Sequence, residues 1–306
     1  MAEPTLSVDY QTLVRELARQ LGFGLTYSTG TITTAGSSTT ITLASGTFPT
    51  WAGTTTTGTS AINIAGTFYG VATRTSGTAL VIDTAVNLGS GTEYVLVQAR
   101  TNVLTEGFQD IQDSIDEGYR EFCFPPPVGQ EPYFIWSWLL EQGSLTLATA
   151  DDDLDLPDNF GQFIDESLSY AQGVDGDLLS LVSQKEFRGK QSRDDATGQP
   201  EYLAWRQKAF VATTGRRFEA LLYPTPTAAE NGQVIEYLYR VIPDRLTPTN
   251  RYPLCGAIHS DTLLKACMAA GERKLDDSSG LYAAKYAERL QASVAADRAV
   301  KVSMGI

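Results

Sequence analysis

Apolar residues recur at Leu104, Phe108, Ile111, Ile115, Tyr119 and Phe122, at intervals of four, three, four, four and three. That period aligns them on one stripe of an α-helix and turns Glu106, Asp110, Asp113, Asp116 and Glu117 away from it. Asn102 is placed to cap the start. Pro125, Pro126 and Pro127 stop the helix, because proline lacks a backbone donor and restricts the residue before it. A second stripe, Leu13, Val14, Leu17 and Leu21, predicts a short helix over residues 9–21, ended by Gly22. Two more helices are expected at 257–275 and 281–300, separated by a break at Asp276–Gly280. Their many alanines allow close approach to the stripe of the 101–122 helix.

Between the first two helices the period changes from three or four to two. Residues 25–98 are crowded with Thr, Ser and Gly. Short β-branched runs such as TTITLA, AINIAG, TFYGVATRT, ALVIDTAV and EYVLVQ stand between turn residues. Alternation at Ile41/Leu43 and at Ile62/Ile64 fits strands with one buried face. This predicts a small β-barrel or sandwich, not a linker, since flexible linkers lack alternating large apolar residues. Further on, residues 131–157 alternate in two runs that suggest a β-hairpin or two edge strands. Residues 183–200 are polar and suggest a loop or an exposed helix end. RFEALLY (217–223) and VIEYLYRV (234–241) suggest an antiparallel hairpin connected through Pro224 and Pro226. The fold class is therefore α+β: a helical bundle with small antiparallel strands (1–24 and 101–306), carrying an inserted all-β barrel or sandwich at 25–100.

Composition narrows the functions open to such a chain. With 306 residues, 42% of them hydrophobic and 19% charged, it has enough apolar surface for a substantial core. A formal charge of −13 opposes tight binding through neutralised phosphates. Cys123, Cys255 and Cys267 are odd in number and lack C-x-x-C spacing, which suits a reducing compartment. No run of eighteen apolar residues occurs, and MAEPTLSVDY has no basic and apolar signal pattern. The expectation is a soluble chain, not exported on its own, with no membrane partner.

Catalytic motifs are scarce. G-x-G-x-x-G, P-loop, H-E-x-x-H and G-x-S-x-G patterns are all missing, and His259 is the only histidine. At a helix start, His259 is read as a capping or packing residue. Asp151, Asp152, Asp153 and Asp155 match the opening of a calcium loop, but Leu156 stands where glycine is required and Gln162 where the closing glutamate belongs. A solvated turn fits better, and neither metal nor cofactor is expected. Lys185, Arg188, Lys190 and Arg193 form a modest basic cluster, either an ordinary solvated surface or a loop facing DNA or an acidic partner. Trp51, Trp136, Trp138 and Trp205 suit either sugar stacking or core packing, with core favoured for Trp136 and Trp138.

From residue 101 onward the order of elements resembles the head-to-tail adaptor (connector) proteins of tailed bacteriophages. The likeness rests on the acidic amphipathic helix, LPDNF at 156–160, FEALLYPTP at 218–226, VIEYLYRVIPDRL at 234–246 and the terminal Ala-rich helices. The opening DYQTLVRELARQLG adds to it. The resemblance implies a non-enzymatic ring, typically of twelve copies, stacked on the portal protein in the neck of the virion and assembled in the host cytoplasm. Such a ring extends the DNA channel, passes DNA without sequence-specific binding and docks the next tail or neck protein. It also implies a portal-docking C-terminal tail, here Val300, Lys301, Val302, Ser303, Met304, Gly305 and Ile306. The face with Glu106, Asp110, Asp113, Asp116 and Glu117 would then line the channel or meet a neighbouring subunit. A carbohydrate-binding or adhesin-like tail protein is the main alternative, motivated by the Thr-rich β segment and its aromatics. A hydrolase with an unmarked carboxylate pair is the third.

Overall fold

The computed structural model describes residues 6–53, 59–99, 105–125, 127, 134–164, 167–173, 179–276 and 280–304. Contacts divide the chain into two units, Met1–Ser137 with Asp244–Ile306, and Trp138–Pro243. The 25–100 segment thus falls in the same unit as the helices.

The first unit begins with α1 (Tyr10–Gln20), whose N-cap Asp9 accepts a 2.9 Å hydrogen bond from the Thr12 amide. Tyr10, Leu13, Val14, Leu17 and Ala18 are buried along its inner face. Seven strands follow: β1 (Phe23–Tyr27), β2 (Ile32–Thr33), β3 (Ser37–Leu43), β4 (Ser60–Ile64), β5 (Thr67–Arg74), β6 (Ala79–Asn87) and β7 (Val95–Ala99). They form one antiparallel sheet in the order β1-β7-β4-β5-β6-β3-β2. Of the expected barrel or sandwich, the described residues form the first in part, as a single sheet and not two stacked ones. The sheet curls, bulged between β3 and β6 and between β5 and β6, until Ile32 bridges Thr92 near the start of β7. Inside the curl lie Ile32, Ile41, Leu43, Phe48, Leu80 and Tyr94. All five residues of β4 are buried, not alternate ones, because its other face is covered as well.

That cover includes α2 (Thr105–Cys123), the helix anticipated from the 104–122 stripe. Phe108, Ile111, Ile115, Tyr119 and Phe122 are all buried, each worth about 1.5–3 kcal/mol of transfer free energy. Phe108 sits between Phe23 of β1 (ring centroids 4.9 Å apart) and Phe68 of β5 (6.1 Å). Asn102 and Leu104, expected as cap and first stripe residue, lie outside the described residues.

The second unit holds two four-stranded sheets. Its strands are β8 (Leu140–Thr146), β9 (Asp153–Asp155), β10 (Phe160–Phe163), β11 (Ser169–Tyr170), β12 (Ser180–Leu181), β13 (Tyr202–Gln207), β14 (Phe218–Tyr223) and β15 (Val234–Val241). In one sheet β15 pairs with β8 along one edge and with β10 and β11 along the other. The other has the order β12-β13-β14-β9. A shared core of residues such as Leu145, Phe160, Phe163, Leu203, Leu222, Ile235 and Tyr237 joins them.

One sequence expectation fails in this unit. β14 and β15 do not form a hairpin; β14 pairs with β13 and β9, and β15 belongs to the other sheet. β15 buries alternate residues as its period suggests, whereas β14 is covered on both faces and pairs with strands that precede it in the chain. The alternating runs of 131–157 take the second of the two forms expected of them, edge strands and not a hairpin, since β8 lies at one edge beside β15 and β9 at another beside β14. The polar stretch after Ser183 is a helix, α3 (Gln184–Gln191), with the Ser183 hydroxyl accepting from the Glu186 amide. Its one buried apolar residue, Phe187, seats it on Ala204 and Leu221.

The chain returns to the first unit with α4 (Ser260–Asp276) and α5 (Leu281–Met304). α2 packs on α4, α1 on both, and α5 on α4. Leu263, Ala266, Cys267 and Ala270 are buried on α4, and Thr262 meets Ser293 of α5 at 2.6 Å. The last helix runs past the expected end at residue 300, so Val300–Met304 continue α5 and do not form a separate tail. Gly305 and Ile306 lie outside the described residues, as do the side chains of Val302, Ser303 and Met304.

Candidate interaction surfaces

Three groups of residues were candidates for function, and the structure gives each a definite surrounding. On α2 the acidic face is not bare. Lys274 of α4 lies 3.6 Å from Asp110 and 3.3 Å from Asp113, and Arg273 lies 2.7 Å from both Glu117 and Glu121. Asp116 meets Arg245 at 2.8 Å and accepts a 2.8 Å bond from Gln112, whose amide also donates to the Leu246 carbonyl. The Gln112 side-chain oxygen in turn accepts from the Tyr10 hydroxyl at 2.5 Å. Burial raises the Asp116 carboxyl above its ordinary range, against the lowering effect of Gln112 and Arg245. Asp110, Asp113 and Glu117 remain about half exposed, so the face keeps acidic oxygens toward solvent. The Glu106 side chain lies outside the described residues.

The C-terminal end of α5 is anchored. Asp297 is fully buried and accepts from the Ser137 amide (3.0 Å) and hydroxyl (2.5 Å). Lys301, one turn later, stands 3.6 Å from Asp297, donates to the Ile135 carbonyl and lies over the Phe134 ring at 4.1 Å. Of the expected docking segment, Lys301 is therefore tied to its own chain, whereas Val300 is 39% exposed.

The basic cluster belongs to α3 and the residues just after it. Lys190 stacks over Tyr202 at 3.5 Å and lies 3.9 Å from Glu186, while Lys185, Arg188 and Arg193 are exposed. Arg188 borders a cleft of about 560 Å³ beside β13, shared with Gln184, Trp205 and Arg206. Arg206 pairs with Glu219 and lies 3.4 Å from Asp153, and Lys208 pairs with Asp155. The aspartate run expected as a solvated turn thus lies partly in a strand, facing cations across the sheet. This cross-strand ladder was not read from sequence, because β9 is far in the chain from β13 and β14.

Other candidates serve packing. Trp136 is fully buried, donates to the Phe122 carbonyl at 2.8 Å and lies 5.4 Å from His259. His259 itself is buried, and desolvation lowers its pKa against the raising influence of Asp297. Trp51 packs against the interior of the curled sheet, and Trp205 lies beside Phe160 and Phe218. The three cysteines are buried thiols, outside any disulfide. Burial pushes the Cys267 thiol well up. Among the described residues no group of three or more His, Cys, Asp or Glu is arranged to hold a metal, and no helix is long and apolar enough to cross a membrane.

A family model described as SU10 adaptor protein matches residues 95–304. No curated protein matches the chain.

Proposed function

The chain belongs to the SU10 adaptor protein family, a family of bacteriophage adaptor proteins, and on that premise we propose that it is a non-enzymatic head-to-tail adaptor in the virion neck. In this reading about twelve copies form a ring on the portal protein, extend the DNA channel and dock the next tail or neck component. The carrying observation is the family match, which spans α2, the second unit, α4 and α5. The match begins at residue 95, in the last strand of the curled sheet. This supports our further reading that residues 25–100 are an insertion in an adaptor domain made of 1–24 and 101–306.

The electrostatics suit a conduit. A net charge of −13 per chain makes a ring strongly acidic, which repels DNA and lets it pass without adhering. We place Asp110, Asp113, Asp116 and Glu117 either on the channel or at a subunit boundary. The cations of α4 set their orientation without neutralising the whole face. The α3 cations are assigned to an acidic partner surface. For the C-terminus, portal docking falls to the residues after Lys301, because Lys301 is held by Ile135 and Asp297.

Imaging purified protein mixed with portal rings tests the proposal. An added ring with portal-matched symmetry supports it. A portal that stays bare, together with intact tails in particles lacking this protein, overturns it.

A further inference from the structure

The β12-β13-β14-β9 sheet ends in two edges of opposite character. β12 pairs with β13 only at Tyr202 and Leu203, whereas β13 continues to Gln207. Lys208 donates to the Arg217 carbonyl, so the even-numbered residues of β13 turn their backbone groups toward β14. Trp205 and Gln207 therefore direct theirs outward. The Trp205 carbonyl accepts a 2.9 Å bond from the Gln184 side chain, and no described strand lies alongside. This edge forms one side of the cleft that Arg188 borders, with Lys185 on the same helix; the far end of α3 reaches the other edge, where Gln191 donates to Asp152 at 3.2 Å.

At the opposite edge, β9 pairs among the described residues with β14 on one side only. Leu156 donates to the Phe218 carbonyl and Leu222 to the Asp152 carbonyl, so Asp153 and Asp155 turn their backbone groups outward. Asp151 and Asp152 make the start of this edge acidic, and Asp153 and Asp155, although met by Arg206 and Lys208 of the same copy, keep about half of their side chains exposed. Short charged edge strands ordinarily resist pairing. Here each edge carries the charge that attracts the other.

We propose that copies of this chain associate head to tail through this sheet, β9 of one copy adding to the open edge of β13 in the next. This rests on the ring reading above and specifies its subunit contact. The two edges lie on opposite sides of one sheet, so the contact is heterologous and closes into a ring when the rotation between neighbours permits. β9 and β13 are both antiparallel to β14 and hence parallel to each other. The small rotation between neighbours in a many-membered ring preserves that direction, so the added pair is parallel. The acidic run of one copy then lies against Lys185 and Arg188 in the next.

Charge exchange tests this in the full chain. Arg188→Glu and Asp151→Lys are each expected to lower ring occupancy on portal particles about tenfold, the scale of one close interfacial charge pair. The double variant restores the attraction with signs reversed and should regain occupancy. Gln207→Pro removes an outward donor without touching the β14 ladder; it should block assembly while the monomer's melting curve stays in place. Wild-type occupancy in all four variants, or no recovery in the double variant, overturns the edge contact and leaves the ring proposal standing. A wild-type chain that never forms a ring removes both.

Discussion

Gly118 of α2 lies against the backbone of Cys267 in α4: a Cβ at Gly118 would stand 2.4 Å from the Cys267 Cα and 2.5 Å from its nitrogen. No side-chain rotation relieves such a clash, because the obstacle is main chain. Gly118→Ala gains about 1 kcal/mol of helix propensity. It is nonetheless expected to destabilise by about 1–3 kcal/mol, the usual cost of overpacking. Urea unfolding reads the sign; a variant as stable as wild type would mean that the helices separate without penalty. Gly271→Ala makes a milder control, since its nearest neighbour is the mobile tip of Leu17 at 3.1 Å.

Asp9 joins the helix start to a distant loop. It caps α1 through the Thr12 amide and pairs with Arg251 at 2.8 Å. Burial alone would raise its carboxyl, but bonds from Arg251 and Thr12 prevail and hold it below the ordinary value. Asp9→Ala is expected to cost about 1–2 kcal/mol, as for other lost caps. Asp9→Asn should recover the cap but not the ion pair. Because the folded pKa is depressed, this stabilisation is present above about pH 4 and fades as the pH falls through the folded value. Denaturant midpoints of the three proteins at pH 7 and near pH 3 provide the check: the difference between wild type and Asp9→Asn should shrink in acid.

How much of this was legible in sequence depends on how local the determinant is. The stripe Phe108, Ile111, Ile115, Tyr119 and Phe122 names its own helix and buried face, and α1 declares itself through Asp9 and Gly22. β14 and β15 were equally clear as strands, but alternation reports a face and not a partner; Leu221 pairs with Asp153, and Ile235 with Leu145. Acidic residues on α2 were visible, while the cations opposite them, Arg273 and Lys274, lie in a helix that meets α2 only in the fold. α3 was readable only as a loop or an exposed helix end, because one phenylalanine is too little for a periodic signal.

His259 gives a pH test with little background, because it is the only histidine in the chain. Phe122, Trp136 and Asp297 surround it, and burial lowers its pKa while Asp297 opposes that shift. The unfolded chain protonates this residue near pH 6.5, whereas the folded chain does so lower. Stability is therefore complete above about pH 6.5 and declines as the pH falls toward the folded value. His259→Phe should flatten the slope between about pH 5.5 and 7.5. An equal slope in both proteins would assign the dependence to other groups.

Neutralising Asp113 and Glu117 separates folding from assembly. Their partners Lys274 and Arg273 are partly exposed, so each pair is worth about 0–1 kcal/mol. Asp113→Asn with Glu117→Gln should leave the monomer's melting nearly unchanged. If this face lines the channel or meets a neighbour, the same variant lowers the yield of infectious particles or the rate of DNA release. Unchanged yield and release remove both roles from the face.

The end of α5 separates anchoring from docking within a few residues. Asp297 is fully buried and receives Lys301 as well as the Ser137 amide and hydroxyl. Truncation before Val300 deletes Lys301, leaves Asp297 with fewer partners and uncovers the Phe134 ring, so it should lower the melting temperature. Loss of a charge-assisted bond to a buried carboxylate costs about 1.5–3 kcal/mol. Truncation after Lys301 keeps that anchor and should melt like the full chain. If residues 302–306 carry the portal contact, the longer truncated chain still fails to bind portal rings in a pull-down. Binding by the protein that ends at Lys301, combined with failure of the shorter one, would move the contact to the anchored turn itself. Binding by both would exclude the C-terminal segment as the docking element.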